Sequence, residues 1–370
     1  MNLTLTAKLK IKPTSLQAML LHKTMAAYRK GCNMVSKLIF ERTALNARSL
    51  HKLTNTYLRQ QFGLRSQMAQ SVLKTVLARY KTNESSGHDR TYVQFKRPEY
   101  DLVWNRDYSL AAGVFSLNTL EGRVKVAFES KGMEHFFDGS WRFGTAKLVH
   151  KHSKWFLHIP MTKEIDEIED KNLDQVIGID MGVNFVATAY DSAGKTTFFS
   201  GRRIKDKRAR YKQLRKALQM RQTPSARRRL KKIGQRENRW MTDVNHQVSK
   251  ALISRYGAKT LFVLEDLQGV RKWAERVYRN SRYVTVSWAY YQLRQMITYK
   301  AVMAGSKTIA VNPKYTSQTC PKCNHIAKEN RNKKKHLFCC RACGYRSNDD
   351  RIASMNLWQS GNKYIAKDAT

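Results

Sequence analysis

Thr316-Ser-Gln-Thr-Cys320-Pro-Lys-Cys323 and Cys340-Arg-Ala-Cys343-Gly-Tyr-Arg-Ser-Asn-Asp-Asp350 are the two runs that decide how this 370-residue chain is read. Each C-x-x-C pair turns back tightly enough to offer two thiolates to one tetrahedral ion, and sixteen residues between the pairs fit a zinc ribbon. Cys339 to Cys343 has the wrong spacing for that turn, so Cys320, Cys323, Cys340 and Cys343 are the expected ligands of one Zn2+ and Cys339 is a spare thiol. Four cysteines close the coordination shell, which makes the metal structural, with a folding contribution on the order of 10 kcal/mol. Ser347-Asn348 offers a helix cap, and Asp349 to Trp358 reads as a short helix with Asp350 in its first turn.

Composition sets the class. An apolar content of 42%, with 10% aromatic residues, is that of a folded protein, and the length allows two or three domains. Sixty-nine Lys and Arg against 28 Asp and Glu leave a net charge of +41, which calls for a polyanionic partner, most commonly nucleic acid. No apolar run approaches the ~18 residues of a membrane span, and Met1 to Pro13 alternates instead of forming a signal peptide. The expectation is a soluble protein that is not secreted and works in a reducing compartment.

Working outward, Leu3, Leu5, Ala7, Leu9 and Ile11 alternate with polar and basic residues as a half-buried strand that Pro13 stops. Helical spacing of apolar residues then runs from Ser15 to Lys81. Strand-like runs return at Arg123 to Phe128, Thr145 to Val149 and Trp155 to Met161, so the first strand is expected to pair with these and the helices to form an insertion. Lys163 to Gln175 is an acidic linker. Beyond it, Val176-Ile-Gly-Ile-Asp180, Val183 to Tyr190 and Thr196 to Phe199 read as three antiparallel strands. Arg202 to Arg239 holds seventeen Lys and Arg against two acids and is split by Thr223-Pro224 into two basic helices. Charges of one sign at that density repel in an unliganded helix, so the run is expected to contact nucleic acid through Arg202, Arg203, Lys207, Arg208, Arg210, Arg227, Arg228, Arg229, Lys231 and Lys232. A helix from Val244 to Tyr256, the strand Thr260-Leu-Phe-Val-Leu-Glu265, a helix from Val286 to Ala304 and the strand Thr308 to Val311 lead back to the ribbon.

Three strands, helices, strand, helix and strand is the order of a ribonuclease H topology, which carries acids on its first strand, its fourth strand and a late helix. Asp180, Glu265 and Asp350 fall on those elements. Converging carboxylates are what phosphodiester hydrolysis needs, because two Mg2+ ions about 4 Å apart generate the hydroxide and stabilise the leaving oxygen.

Gly178-Ile-Asp180-Met-Gly182-Val-Asn184, Leu264-Glu265-Asp266-Leu267, Tyr299-Lys300-Ala301 with Gly305, Thr316-Ser317 before Cys320, and Cys343-Gly344 through Asp350 to Asn356 together resemble the transposon-encoded TnpB family. These are RNA-guided DNA endonucleases related to the type V CRISPR effectors. Two departures stand out: Asp350-Arg-Ile-Ala-Ser-Met-Asn356 where the family shows D-x-N-A-A-x-N, and Asn324 in place of a glycine after the first C-x-x-C. The resemblance implies a multidomain α/β protein. Its parts are a β-rich wedge domain (1–14 and 88–162), a helical recognition insertion (15–87), a linker (163–175), a RuvC-type, ribonuclease H-like nuclease domain (176–312 and 346–360), an inserted zinc ribbon (313–345) and a C-terminal tail (361–370).

By the same resemblance, Asp180, Glu265 and Asp350 bind two catalytic Mg2+, while Asp266 and Asp349 are neighbours without a catalytic part. A guide RNA from the transposon end pairs with the target strand of double-stranded DNA, and the protein reads only a short flanking motif. One protomer per RNA, in a prokaryotic cytoplasm or nucleoid, is the expected assembly. Arg271, Lys272, Arg276, Arg279 and Arg282 suit contact with the nucleic-acid backbone, and the interleaved Trp273, Tyr278 and Tyr283 suit either base stacking or a core. Two rival readings share the same ligands: a nucleic-acid-binding protein with an inactive nuclease fold, and a transposase that joins DNA ends.

Overall fold

The computed structural model describes the chain except residues 43–46, 88, 90, 98, 235, 267–289, 334 and 369–370. It divides into two units, residues 1–164 and 165–370.

In the first unit, the alternation of β1 (Asn2–Lys12) buries Leu3, Ala7, Leu9 and Ile11. Thr14 then caps α1 (Ser15–Glu41) through a reciprocal pair of bonds with Gln17, and α2 (Ala47–Phe62) and α3 (Ser66–Ser85) follow. The remaining strands are β2 (Glu99–Leu102), β3 (Tyr108–Ala111), β4 (Val114–Thr119), β5 (Gly122–Glu129), β6 (Arg142–Phe143), β7 (Ala146–Lys151) and β8 (Lys154–Glu164). They form one sheet in the order β2-β7-β8-β1-β5-β4-β3, with β6 on β8. The first strand runs antiparallel to β8 from Asn2↔Glu164 to Ile11↔Trp155, so strands on both sides of the helices in sequence share a sheet. Sequence patterning missed β2, β3, β4 and the two-residue β6. The turn joining β3 to β4 is Ala112-Gly113, both at positive φ, and an alanine there hides the usual hairpin signal.

The second unit is built on β9 (Gln175–Asp180), β10 (Phe185–Tyr190), β11 (Thr196–Ser200), β12 (Thr260–Glu265) and β13 (Lys307–Val311), in the order β11-β10-β9-β12-β13. The first three strands are antiparallel, whereas β9, β12 and β13 run parallel. The period-two rule sorts β9 and β12 onto two faces. Ile177, Ile179, Phe262 and Leu264 pack with α6 (Arg236–Tyr256) and α7 (Tyr290–Met303) on one face. Val176, Leu261 and Val263 pack with α8 (Asp349–Asp368) on the other. α8 lies almost on the strand backbone: a Cβ on Gly178 would sit 2.1 Å from the Ser354 carbonyl oxygen, and one on Gly361 would sit 2.5 Å from Val176 and Val263.

Two boundaries differ from the sequence reading, and a third is not described. The helix of Asp350 continues to Asp368 where a tail (361–370) was expected, because Tyr364 and Ile365 pack on the sheet and Asp170 accepts bonds from both Tyr364 and Lys307. The linker assigned to 163–175 gives its ends to β8 and β9. The start of the helix expected from Val286 lies outside the described residues.

The basic run forms α4 (Arg202–Arg221) and α5 (Pro224–Ile233), capped by Thr223 with Pro224 in the first turn, and continues into α6. Leu218, Ala226 and Ile233 give the hairpin a small core of its own. Between β13 and α8 lies the ribbon, whose sheet is β14 (Arg331–Asn332), β15 (Leu337–Cys339) and β16 (Arg346–Asn348).

Candidate active site

Parity delivers two of the three acids. Asp180 follows Val176 and Gly178 on the face that α8 covers, and Glu265 follows Leu261 and Val263 on the same face. The parallel register pairs Leu264 with Ile179, so Glu265 and Asp180 end adjacent strands side by side. The third acid comes from the covering helix. Asn348 caps α8 by accepting from the Asp350 and Arg351 N–H groups, which fixes Asp350 at the helix start.

The electrostatics are those of a site short of positive charge. Burial pushes the Asp180 carboxyl well above the ordinary range, and the negative charges of Glu265, Asp350 and Asp349 push it further, opposed by Arg331. Glu265 is raised by burial, against the Thr316 hydroxyl that donates to it at 2.5 Å and the charge of Arg331. Asp350, 7% exposed, is raised by burial and by Asp349, while Arg331, His336 and Lys205 oppose the shift. Its Oδ2 atom is buried without a hydrogen-bond partner. Oxygen donors, buried and mutually repelling, suit a hard divalent cation.

Asp349, expected as a neighbour of Asp350 without a catalytic part, is held in a buried ion pair. It is fully buried, accepts from Arg331 Nε at 2.8 Å and faces His336 Nδ1 at 3.6 Å. Arg331 also donates to Ser317 Oγ, and the His336 ring meets the Asn184 amide, whose oxygen accepts from Lys205 at the start of α4. Asp266 pairs instead with Arg294 on α7.

The four cysteines are the one group of three or more candidate ligands, among the described residues, whose donor atoms all lie within 4.8 Å of one another. Cys320 and Cys343 sulfurs are 3.6 Å apart and Cys323 and Cys340 sulfurs 3.5 Å, close to the ~3.8 Å edge of a tetrahedron with Zn–S bonds of about 2.3 Å. The two knuckles repeat each other: Asn324 and Gly344 N–H groups bond the Cys320 and Cys340 carbonyls, at φ 59° and 71°. Asn324 thus takes the left-handed turn that glycine takes in the second knuckle. Burial pushes the Cys340 thiol up, but the N–H groups of Cys343 and Ala342, with bonds from Cys323 and Cys343, pull it down to about 6.

On the hairpin, Arg202, Arg203, Lys207, Arg210, Arg227, Arg228, Arg229, Lys231 and Lys232 are exposed. Arg203, Lys207, Arg210, Arg228, Arg229 and Lys232 line a cleft of about 1140 Å³ with Tyr211 and the single acid Asp206. Arg208 is the exception and corrects the expectation. It is 2% exposed, lying beside Glu237, which Arg215 also grips at 2.6 Å, so this arginine anchors the hairpin to α6. The second basic set, Arg271, Lys272, Arg276, Arg279 and Arg282, lies outside the described residues.

Two family models match the chain: "Probable transposase" over residues 158–271 and "Cas12f1-like, TNB domain" over residues 290–357. Among curated proteins, a CRISPR-associated endodeoxyribonuclease Cas12f1 of Sulfoacidibacillus thermotolerans is 30% identical across 61% of this chain and 55% of its own length. A putative RNA-guided DNA endonuclease InsQ of Escherichia coli K12 is 28% identical across 58% of this chain and 55% of its own. The chain therefore spans about half the length of these relatives. A solved mini-RNA-guided endonuclease, CRISPR-Cas_phi3, shares the fold with a TM-score of 0.61 at 11% identity, over 97% of this chain and 92% of that one. In sequence the chain resembles the transposase and Cas12f1-like families and the curated RNA-guided nucleases, and in fold it resembles the CRISPR-Cas_phi3 structure.

Proposed function

We propose that this chain is an RNA-guided, metal-dependent endodeoxyribonuclease whose second unit is a ribonuclease H-like, RuvC-type nuclease interrupted by a zinc ribbon. The observation that carries this reading is the convergence of Asp180, Glu265 and Asp350 at one end of the β9–β12 face, from three elements far apart in sequence. Two Mg2+ held by these carboxylates would supply a hydroxide nucleophile and stabilise the leaving oxygen. The protein's own part is to gather three buried carboxylates, keep the Asp350 Oδ2 atom free of competing donors, and present the scissile phosphate to them. Zn2+ on Cys320, Cys323, Cys340 and Cys343 folds the ribbon that leads into α8.

Sequence selection belongs to a guide RNA paired with one strand of a target duplex, with the protein reading a short flanking motif in the DNA. The exposed hairpin cleft suits the nucleic-acid backbone, since seven cations around one acid, Arg236 being the seventh, read phosphate and not sequence. The working place is a prokaryotic cytoplasm or nucleoid, and no described helix is long and apolar enough to cross a membrane.

The test is cleavage of a guide-matched duplex beside binding of the same duplex, using the RNA that co-purifies. Asp180→Ala, Glu265→Ala and Asp350→Ala should each lower the Mg2+-dependent rate by about a thousandfold or more, roughly 4 kcal/mol in the barrier, with RNA and target binding nearly unchanged. Joined rather than cut products would establish strand transfer, and three variants that cut like the parent would remove the site from these residues.

A further inference from the structure

The carboxylates and the ribbon are connected by a continuous set of short contacts that the nuclease reading does not by itself require. Thr316 and Ser317 are consecutive residues on the segment entering the ribbon. The Thr316 hydroxyl donates to Glu265 Oε1, and the Ser317 hydroxyl accepts from Arg331 Nη1 at 2.8 Å. Arg331, on β14, turns its Nε to Asp349, the fully buried residue beside Asp350. The Asn356 amide, two turns along α8, donates to the Thr316 and Thr319 carbonyls and ties the same segment to the helix. Ribbon pairing is continuous with the helix too: Leu337 pairs with Asn348, the cap, with no linker before Asp349.

We propose that Thr316, Ser317, Arg331 and Asp349 are positioning residues that form a brace setting the separation of Glu265 from Asp350, so that the ribbon fixes the metal geometry of the nuclease. This rests on the nuclease reading above. The physical case is the mismatch between the forces at the site and the contacts that resist them. Carboxylates in one desolvated place repel, and a shift of α8 along β9 would relieve that repulsion at the crossing where Gly178 offers no side chain to hold the helix, the packing of Leu357, Tyr364 and Ile365 lying farther along α8. The brace opposes the shift from outside. A guanidinium suits it because its fork reaches a hydroxyl and a carboxylate in fixed directions at once, which a lysine cannot do. Asp349 suits it because a buried carboxylate with one strong cationic partner has few alternative positions.

Arg331→Met, Arg331→Lys, Asp349→Asn and Ser317→Ala test the proposal, with three readouts on the full chain and its co-purified RNA. The Mg2+ dependence of cleavage should shift to about tenfold higher half-saturating Mg2+ in Arg331→Met and Asp349→Asn, with the maximal rate recovered at saturating ion. Arg331→Lys should fall between these and the parent, and Ser317→Ala should shift least. Zinc content should stay at one ion per chain in all four. Hydrogen exchange at the amides of Asp350 and Arg351 should quicken without added Mg2+, a signature that does not depend on activity. A parental Mg2+ curve with a lowered plateau, or loss of zinc in Arg331→Met or Asp349→Asn, overturns the brace and makes these residues supports of the ribbon alone. Cleavage by Asp350→Ala overturns the nuclease reading itself, whereas a dead Asp350→Ala beside a parental Asp349→Asn overturns only the brace.

Discussion

The two clusters of candidate metal ligands in this protein are assembled in opposite ways. Four thiols already converge within 4.8 Å, because each knuckle is closed by its own backbone bonds and needs only one β-hairpin to meet the other. Three carboxylates arrive from β9, β12 and α8 across 170 residues, and among the described residues they do not close to the same distance. The difference follows from the ions they suit. Thiolates make a closed shell for a metal that never leaves, whereas Mg2+ keeps waters and shares its ligands with substrate phosphate, so its protein ligands remain apart and repelling until ion and substrate arrive.

Breaking the local site should give the largest effect. Cys340→Ser should release zinc and unfold the ribbon, on the order of 10 kcal/mol of metal-linked folding energy, while Cys339→Ser keeps both. Metal content by atomic absorption decides this, and equal loss in the two variants would reject the ligand assignment. The basic hairpin sharpens the contrast, since its self-contained core makes it another local device. Replacing six of its exposed cations should flatten the salt dependence of RNA affinity by about five logarithmic units per decade of salt. The Mg2+ requirement for cutting should not move, and an unchanged salt slope would make the hairpin a solvated face.

The smallest effect belongs to the assembled site and appears as stability. Asp180, Glu265 and Asp350 hold their protons more tightly when folded than when unfolded, so their contribution is full below the ordinary carboxylate range and is lost as pH rises through their raised folded values. Without divalent ions, melting temperature should therefore fall as pH climbs from about 4 toward neutrality, and Asp180→Asn should be roughly 1–2 kcal/mol more stable than the parent at neutral pH. Added Mg2+ should raise the parent's melting temperature and leave Asp180→Asn nearly unmoved. A variant that melts earlier than the parent would mean that the carboxylates are stabilising partners and not a strained metal site.

What sequence made legible tracks the same division. The four clustered cysteines were visible in their spacing, and the first and fourth strands in their apolar runs ending in acid. The parity that sends Asp180 and Glu265 to the α8 face was implicit in the glycine two residues before Asp180. Arg208 and Asp349 were not legible, because a buried charge looks like its exposed neighbours until its partner, Glu237 or Arg331, is known in space. The length of α8, expected to end at Trp358, was hidden for a related reason: Gly361 is a packing residue against two valines, which only the fold shows.

The ribbon's place in the chain has a consequence in time. It lies between the last strand of the sheet and the helix that carries Asp350, so within this unit a ribosome delivers Asp180 and then the basic hairpin, next Glu265 and the ribbon, and the third acid after them. Domains fold as they emerge. On the proposed reading, a nascent chain gains its grip on RNA well before it gains a cutting edge, and the last piece to dock is the one that zinc and the brace must set in place.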